Sequence, residues 1–222
     1  MSPAHVFEPT YEAIKRRLMT GEWASGTRIE AARLADDLGV SVTPVRDSLY
    51  RLNGERMVDF TPGEGFHVHR LTETEFRDLL ELHLILLLAA LATAPKGSAA
   101  SVPPDQPYPD RVADLFLAIA ERSSNCEIVA SIAAIGDRLQ LSRHFDAMIL
   151  ADVEAEYRRI KAAVADAEPQ AQIRNLLLGY HERRAHEAAN YARTLAGHSG
   201  GQPSSISSLA ASTDEAKPCR GS

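Results

Sequence analysis

The chain has 222 residues, 45% of them hydrophobic and 24% charged, which suits a globular protein of two small domains. A formal net charge of −6 excludes a uniformly basic nucleic-acid binder, and the aromatic share of 6% makes the cores mainly aliphatic. Cys126 and Cys219 are too few for a disulfide framework, so a reduced, cytoplasmic setting is expected.

Residues 1–10 are short, polar and without an apolar core; they are expected to be neither a signal peptide nor ordered. Tyr11, Ile14 and Leu18 then mark one face of a helix ending at Gly21. From Ile29 to Leu52 two short helical patterns flank Gly39: Ile29, Leu34, Ala35 and Leu38 before it, Val45, Leu49 and Leu52 after it. This spacing predicts a helix-turn-helix. Ala35 permits close packing, Gly39 permits positive φ in the turn, and Val40 and Val45 fill the angle between the helices. Ser41 or Thr43 can cap the second helix, and Pro44 suits its first turn. Val42, Thr43, Arg46 and Arg51 then stand where a reading helix meets DNA bases. A plain helical hairpin within a core is the competing interpretation. Two short strands, from Met57 and from Gly65, around Thr61-Pro62-Gly63-Glu64 add a wing, making a winged helix-turn-helix over residues 11–70.

These residues resemble the DNA-binding domain of GntR-type bacterial transcription regulators, the FadR-like branch in particular. The resemblance rests on the opening Y-x-x-I, on G-x-x-x-x-G-x-x-I from Gly21, on L-A-x-x-L-G-V-S from Leu34, and on T-P-V-R-D-S-L from Thr43. It implies DNA contacts by Arg46, Thr43 and the wing at Gly65, with Arg33, Ser41, Val42, Arg51 and His67 completing the candidate interface. Where the family usually has arginine after the serine, this chain has Val42, an apolar side chain suited to a thymine methyl. Within residues 11–70, nine Lys and Arg balance nine Asp and Glu, so the reading head is neutral and the negative charge lies elsewhere. A neutral head predicts weak non-specific binding and a need for dimerisation.

Beyond the wing, Thr72 to Glu75 read as a capping box, with Leu71 and Phe76 as a hydrophobic staple. The helix it starts is apolar on nearly every face from Leu79 to Ala94, but Glu81 and His83 interrupt it and it is short for a membrane span. It is expected to be a core helix, a dimer helix, or both. Residues 95–110 hold five prolines and read as an exposed connector. From Arg111 the pattern is helical throughout, predicting an all-α antiparallel bundle over residues 71–196, followed by a disordered tail at 197–222. The fold class is therefore mainly α, a winged helix-turn-helix followed by that bundle.

In FadR-like regulators the second domain, of the FCD type, takes a small effector, often a carboxylate, and in many members a divalent metal held by one aspartate and three histidines. The weaker resemblance over Arg111 to Ala196 sets Val112, Phe116, Tyr157 and His181 at those four positions, a small shift offering Asp114 instead of Val112. One imidazole and at most one carboxylate imply no bound metal. Phe116, Tyr157 and His181 remain as candidate effector contacts, with a purely structural histidine left open; Arg143, His144 and His186 read as surface residues. No catalytic constellation and no cofactor motif is recognisable, so no enzyme is expected. The expected function is a cytoplasmic transcription regulator, repression being its conventional direction. It would bind a palindromic operator as a homodimer, with no membrane contact and with modulation by a small organic acid. A DNA-tethered protein-interaction module is the alternative.

Overall fold

The computed structural model describes residues 4–93, 106–166 and 168–201. Helix α1 (Ala4–Met19) is followed by a two-residue strand β1 (Arg28–Ile29), α2 (Ala31–Leu38) and α3 (Val42–Gly54). Strands β2 (Val58–Thr61) and β3 (Gly65–Val68) complete the head. The sheet order is β1-β3-β2, all antiparallel, with Arg28 opposite His67 and Phe60 opposite Phe66. Tyr11, Ile14, Leu34, Ala35, Val45, Leu49, Leu52 and Val58 form one core, so the apolar spacing seen in sequence is the buried face. Gly39 has φ 65° and closes α2, as the tight turn requires.

The start of α1 corrects the expectation of disorder over residues 4–10; residues 1–3 lie outside the described ones. The helix begins at Ala4, and its early turns pack Phe7 on Tyr11 at 6.4 Å between centroids and bring Glu8 to Arg51. Strand β1 was not legible either, since two residues carry no period.

The remaining helices are α4 (Glu73–Thr93), α5 (Tyr108–Ala120), α6 (Cys126–Arg143), α7 (Asp146–Ile149), α8 (Val153–Ala165), α9 (Gln170–His186) and α10 (Ala188–Gly197). The capping box forms: the Thr72 backbone N–H donates to Glu75 at 3.0 Å and the Glu75 N–H donates to Thr72 Oγ1 at 3.2 Å. Helix α4 runs through the bundle. Its first half packs Phe76, Leu79 and Leu80 with Leu139 and Tyr191, and its second half packs Leu87 and Leu91 with residues of α5, α6, α8 and α9. Among the described residues no helix is long and apolar enough to cross a membrane.

Two boundaries differ from the sequence expectation. Helix α5 starts at Tyr108, inside the stretch read as connector, because Pro109 falls in the first turn, where a missing N–H loses nothing; residues 95–105 lie outside the described ones. The chain after Gly197 also does not leave the surface at once. His198 packs edge-on against Phe145 and its Nε2 bonds the Gly21 carbonyl at 2.8 Å, while the Gly201 N–H donates to the Glu22 carbonyl. The rest of the expected tail, residues 202–222, lies outside the described residues.

A buried polar knot fastens the bundle. Arg184 pairs with Asp146 and Glu156, stacks 3.4 Å from the Tyr180 ring centroid and donates to the Tyr108 hydroxyl, while the Tyr191 hydroxyl donates to Asp146. Five helices, α5 and α7 to α10, meet in these bonds.

Candidate nucleic-acid interface and bundle cavity

Helix α3 projects its first turns away from the core. Ser41, Thr43, Arg46 and Asp47 are exposed, while Val45, Ser48 and Leu49 are buried behind them. Ser41 occupies the N-cap position with extended backbone but makes no side-chain cap bond, so its hydroxyl stays available, as do the first N–H groups of the helix. Arg33 on α2 and Arg46 on α3 are exposed and make no ion pair among the described residues. Gly65 has φ 92° at the start of β3, and Thr61-Pro62-Gly63-Glu64 forms a turn closed by the Glu64 N–H to Thr61, with Gly63 at φ 87°. Proline followed by a positive-φ glycine is the type II pattern.

Three expected contacts are placed less directly. Val42 is half-buried and packs against the head's core, which limits its reach to bases. Arg51 is drawn into the head: its guanidinium sits 3.7 Å from the Tyr11 ring centroid and pairs with Glu8 at 3.1 Å and Glu55 at 3.2 Å. His67 is half-buried on β3, between Arg28 and Asp59. Two residues went unnoticed in the sequence. Arg28 is exposed on β1 beside Gly65, and Tyr50, 51% exposed, stands one helical turn beyond Arg46. Tyr50 meets the wing edge-on, 5.3 Å from Phe60 and 4.9 Å from Phe66. Its i+4 spacing from Arg46 is the signal that could have found it.

In the bundle, the expected effector contacts separate. Phe116 and His181 are neighbours, 5.8 Å between ring centroids, and both are buried. Tyr157 lies instead against Arg111, 4.9 Å from guanidinium to ring, and Tyr108. His181 has both nitrogens engaged: Nδ1 bonds the Leu177 carbonyl at 2.7 Å and Nε2 meets His83 Nδ1 at 2.9 Å. A carbonyl can only accept, so Nδ1 of His181 carries the proton, its Nε2 accepts, and His83 Nδ1 donates. Burial depresses both histidines, His83 well below its ordinary value and His181 to about 4, with Arg143 disfavouring charge on each; both are neutral near pH 7. Val112 and Phe116 offer a divalent cation no ligand atom and both nitrogens of His181 are bonded, so these residues as placed do not fit one.

Arg143 overturns its assignment to the surface. It is 3% exposed, and its Nη1 donates to Gln140 Oε1 at 2.8 Å and the Gly136 carbonyl at 3.1 Å. Among the described residues it has no carboxylate within ion-pair distance. With His83, Phe116, Asp110, Asp114 and Gln140 it lines a cavity of about 280 Å³. Asp137, at the rim of that cavity, binds Lys15 of α1 at 2.6 Å. Lys15 also donates to the Tyr11 hydroxyl at 3.1 Å, and that hydroxyl donates to Glu55, the partner of Arg51 on α3. Burial favours the neutral amine, but the bonds to Asp137 and Tyr11 win and hold the Lys15 pKa above its ordinary value.

Residues 8–68 match the family model described as bacterial regulatory proteins, gntR family. The HTH-type transcriptional regulator McbR of Escherichia coli K12 is 31% identical over 81 residues, which span 36% of this chain and 37% of that protein. The solved structure of E. coli McbR/YncC superposes with a TM-score of 0.62 at 19% identity, covering 83% of this chain and 97% of that one. A GntR transcriptional regulator of Rhodococcus sp. RHA1 gives 0.68 at 16% identity with the same coverage. At such identities the two structures speak for the fold alone, across both head and bundle. These relatives are described as regulators of transcription and not as enzymes. The family match begins in α1 and stops at the last wing strand, and the head it covers, residues 8–68, is a domain of the gntR family of bacterial regulatory proteins.

Proposed function

We propose that the chain is a cytoplasmic, DNA-binding transcription regulator that reads a palindromic operator as a homodimer and responds to a small effector held in the bundle. The observation that carries this is the front of α3, where Thr43 and Arg46 are exposed and Arg46 is unpaired among the described residues, with the wing alongside. In this reading Arg46 and Thr43 meet base edges, Arg33 and Arg28 meet phosphates, and the Gly63–Gly65 turn follows the adjacent minor groove. The residue range 11–70 serves as reading head and 71–196 as effector and dimer domain.

The dimer reading is supported by α4. Leu82 and Ile85 are 47% and 54% exposed, and with Ala89 and Ala92 they repeat at spacings of three and four along one face. A two-fold copy laid on this face covers it and sets two α3 helices at fixed separation. The cavity beside Phe116 and Arg143 supports the effector reading, and the Asp137–Lys15 bond joins its rim to α1. The same exposed α4 face favours a second reading, in which a different protein docks there and no small ligand acts. Light scattering coupled to size exclusion, with and without a duplex from the promoter of the protein's own gene, tests the first reading. It expects a dimer that binds one duplex per two chains; a monomer that ignores the duplex contradicts it.

A further inference from the structure

The bundle cavity holds an unusual set of unmet polar groups. Arg143 contributes a buried positive charge whose bonds go only to the neutral Gln140 side chain and the Gly136 carbonyl. Asp114 contributes a half-buried carboxylate with no hydrogen bond or ion pair among the described residues, and both burial and neighbouring Asp110 raise its pKa. His83, 1% exposed, contributes a bare acceptor: its Nδ1 donates to His181, so its Nε2 carries a lone pair, and that atom has no partner among the described residues. Arg143 and His83 flank the same Phe116 ring, at 6.0 Å and 5.0 Å from its centroid.

The charges decide what fits. Three carboxylates line the cavity with Arg143: Asp137, which pairs with Lys15, Asp110, which accepts from Gln140 Nε2 at 2.5 Å, and Asp114, which is unmet. A plain anion would satisfy Arg143 but leave Asp114 repelling it and His83 Nε2 still without a donor. A plain cation reverses the problem. A molecule with one carboxylate and one ammonium group, set on a short apolar body, satisfies all three. Phe116, Leu117, Ile132 and Ala133 supply apolar wall for that body.

We propose that this cavity binds a small aliphatic α-amino acid, its carboxylate on Arg143 and its ammonium group donating to Asp114 and to His83 Nε2. This rests on the effector reading above and names the ligand class of that site. Gln140 positions Arg143, and Asp110 fixes Gln140 in turn.

The test uses the full chain and matched probes: L-alanine and L-valine, against propionate and isovalerate, which have the same carbon skeletons without the amine, and α-hydroxyisovalerate, which has a hydroxyl in its place. Melting temperature and calorimetric affinity are read for the wild type, Asp114→Asn, Arg143→Met and Ala133→Leu. The proposal expects at least one amino acid to raise the melting temperature by a few degrees while its deamino acid does not. It also expects Asp114→Asn to weaken that amino acid at least tenfold, with Arg143→Met and the cavity-filling Ala133→Leu abolishing binding. Ala133→Leu leaves every polar bond in place, so it decides the matter if Arg143→Met fails to fold. Equal binding of isovalerate and valine, or tighter binding of the hydroxy acid, ends the amino-acid assignment and leaves a carboxylate effector standing. Silence from all five probes, or binding that survives Ala133→Leu, overturns the site itself.

Discussion

At the residue scale, the buried imidazole pair makes the fold sensitive to acid. His181 ordinarily titrates near 6.5 but is held at about 4 by burial, with Arg184 and Arg143 adding repulsion against the Leu177 carbonyl's opposing pull. Between those two values the unfolded chain binds a proton that the native chain refuses, so stability rises with pH across the window and is lost as pH falls through it. The separation corresponds to about 3 kcal/mol, and His83, depressed in the same direction, adds to the slope. Urea unfolding at pH 7 and at pH 4.5 checks this: a lower midpoint at the acid pH is expected, and His181→Gln should flatten the dependence. Single residues also show where sequence reading stops. Arg143 looks like an ordinary basic residue in the last turn of a helix, and only the approach of α4 and α5 buries it. Arg51 sits on the reading helix with the spacing of a DNA contact, yet the early start of α1 brings Tyr11 and Glu8 against it.

At the scale of elements, the local signals held. The capping box before α4, the positive-φ glycine between α2 and α3 and the wing turn each depend on residues within a few positions of one another, and each is found where its motif stands. Elements too short to carry a period were invisible: β1 has two residues and α7 has four. The break between α9 and α10 at Glu187 is equally hidden, since no proline or glycine marks it. Tyr50 on α3 meets Phe60 and Phe66 of the two wing strands, beside the bond from Asn53 to the Val58 carbonyl. Tyr50→Ala should destabilise the head by about 1–2 kcal/mol and weaken DNA binding, with the loss concentrated in the wing contacts. Amide exchange should show β2 and β3 opening more often while α1 is unchanged; uniform protection would show that the wing is held without Tyr50.

At the scale of the molecule, the polar contacts between head and bundle among the described residues include His69–Glu75 and Lys15–Asp137, and Asp137 lines the cavity. A chain of bonds then runs from Asp137 through Lys15, Tyr11 and Glu55 to Arg51 on the reading helix. Adjacency alone does not establish coupling, which must be measured as a free energy between two sites. Asp137→Asn removes the charge from the link while leaving the cavity its shape. Any change in DNA affinity that an effector produces should therefore shrink in this variant, and Lys15→Met should shrink it no further when the two are combined. Independent, additive effects would show that the link carries nothing. The docking of His198 on Gly21 and of Gly201 on Glu22 adds a second tie between the end of the bundle and the end of α1. Its residues gave no sign of this in a stretch rich in glycine and serine.

The face of α3 bearing Arg46 is the centre of the account, and a salt-dependent DNA titration of Arg46→Ala tests it most directly. Fluorescence anisotropy with a promoter duplex, repeated over a range of salt, should show a loss of about 1–3 kcal/mol, with any phosphate contact by Arg46 also lowering the salt slope by about one. Affinity and slope both equal to those of the wild type would contradict the account, because Arg46 would then lie off the DNA.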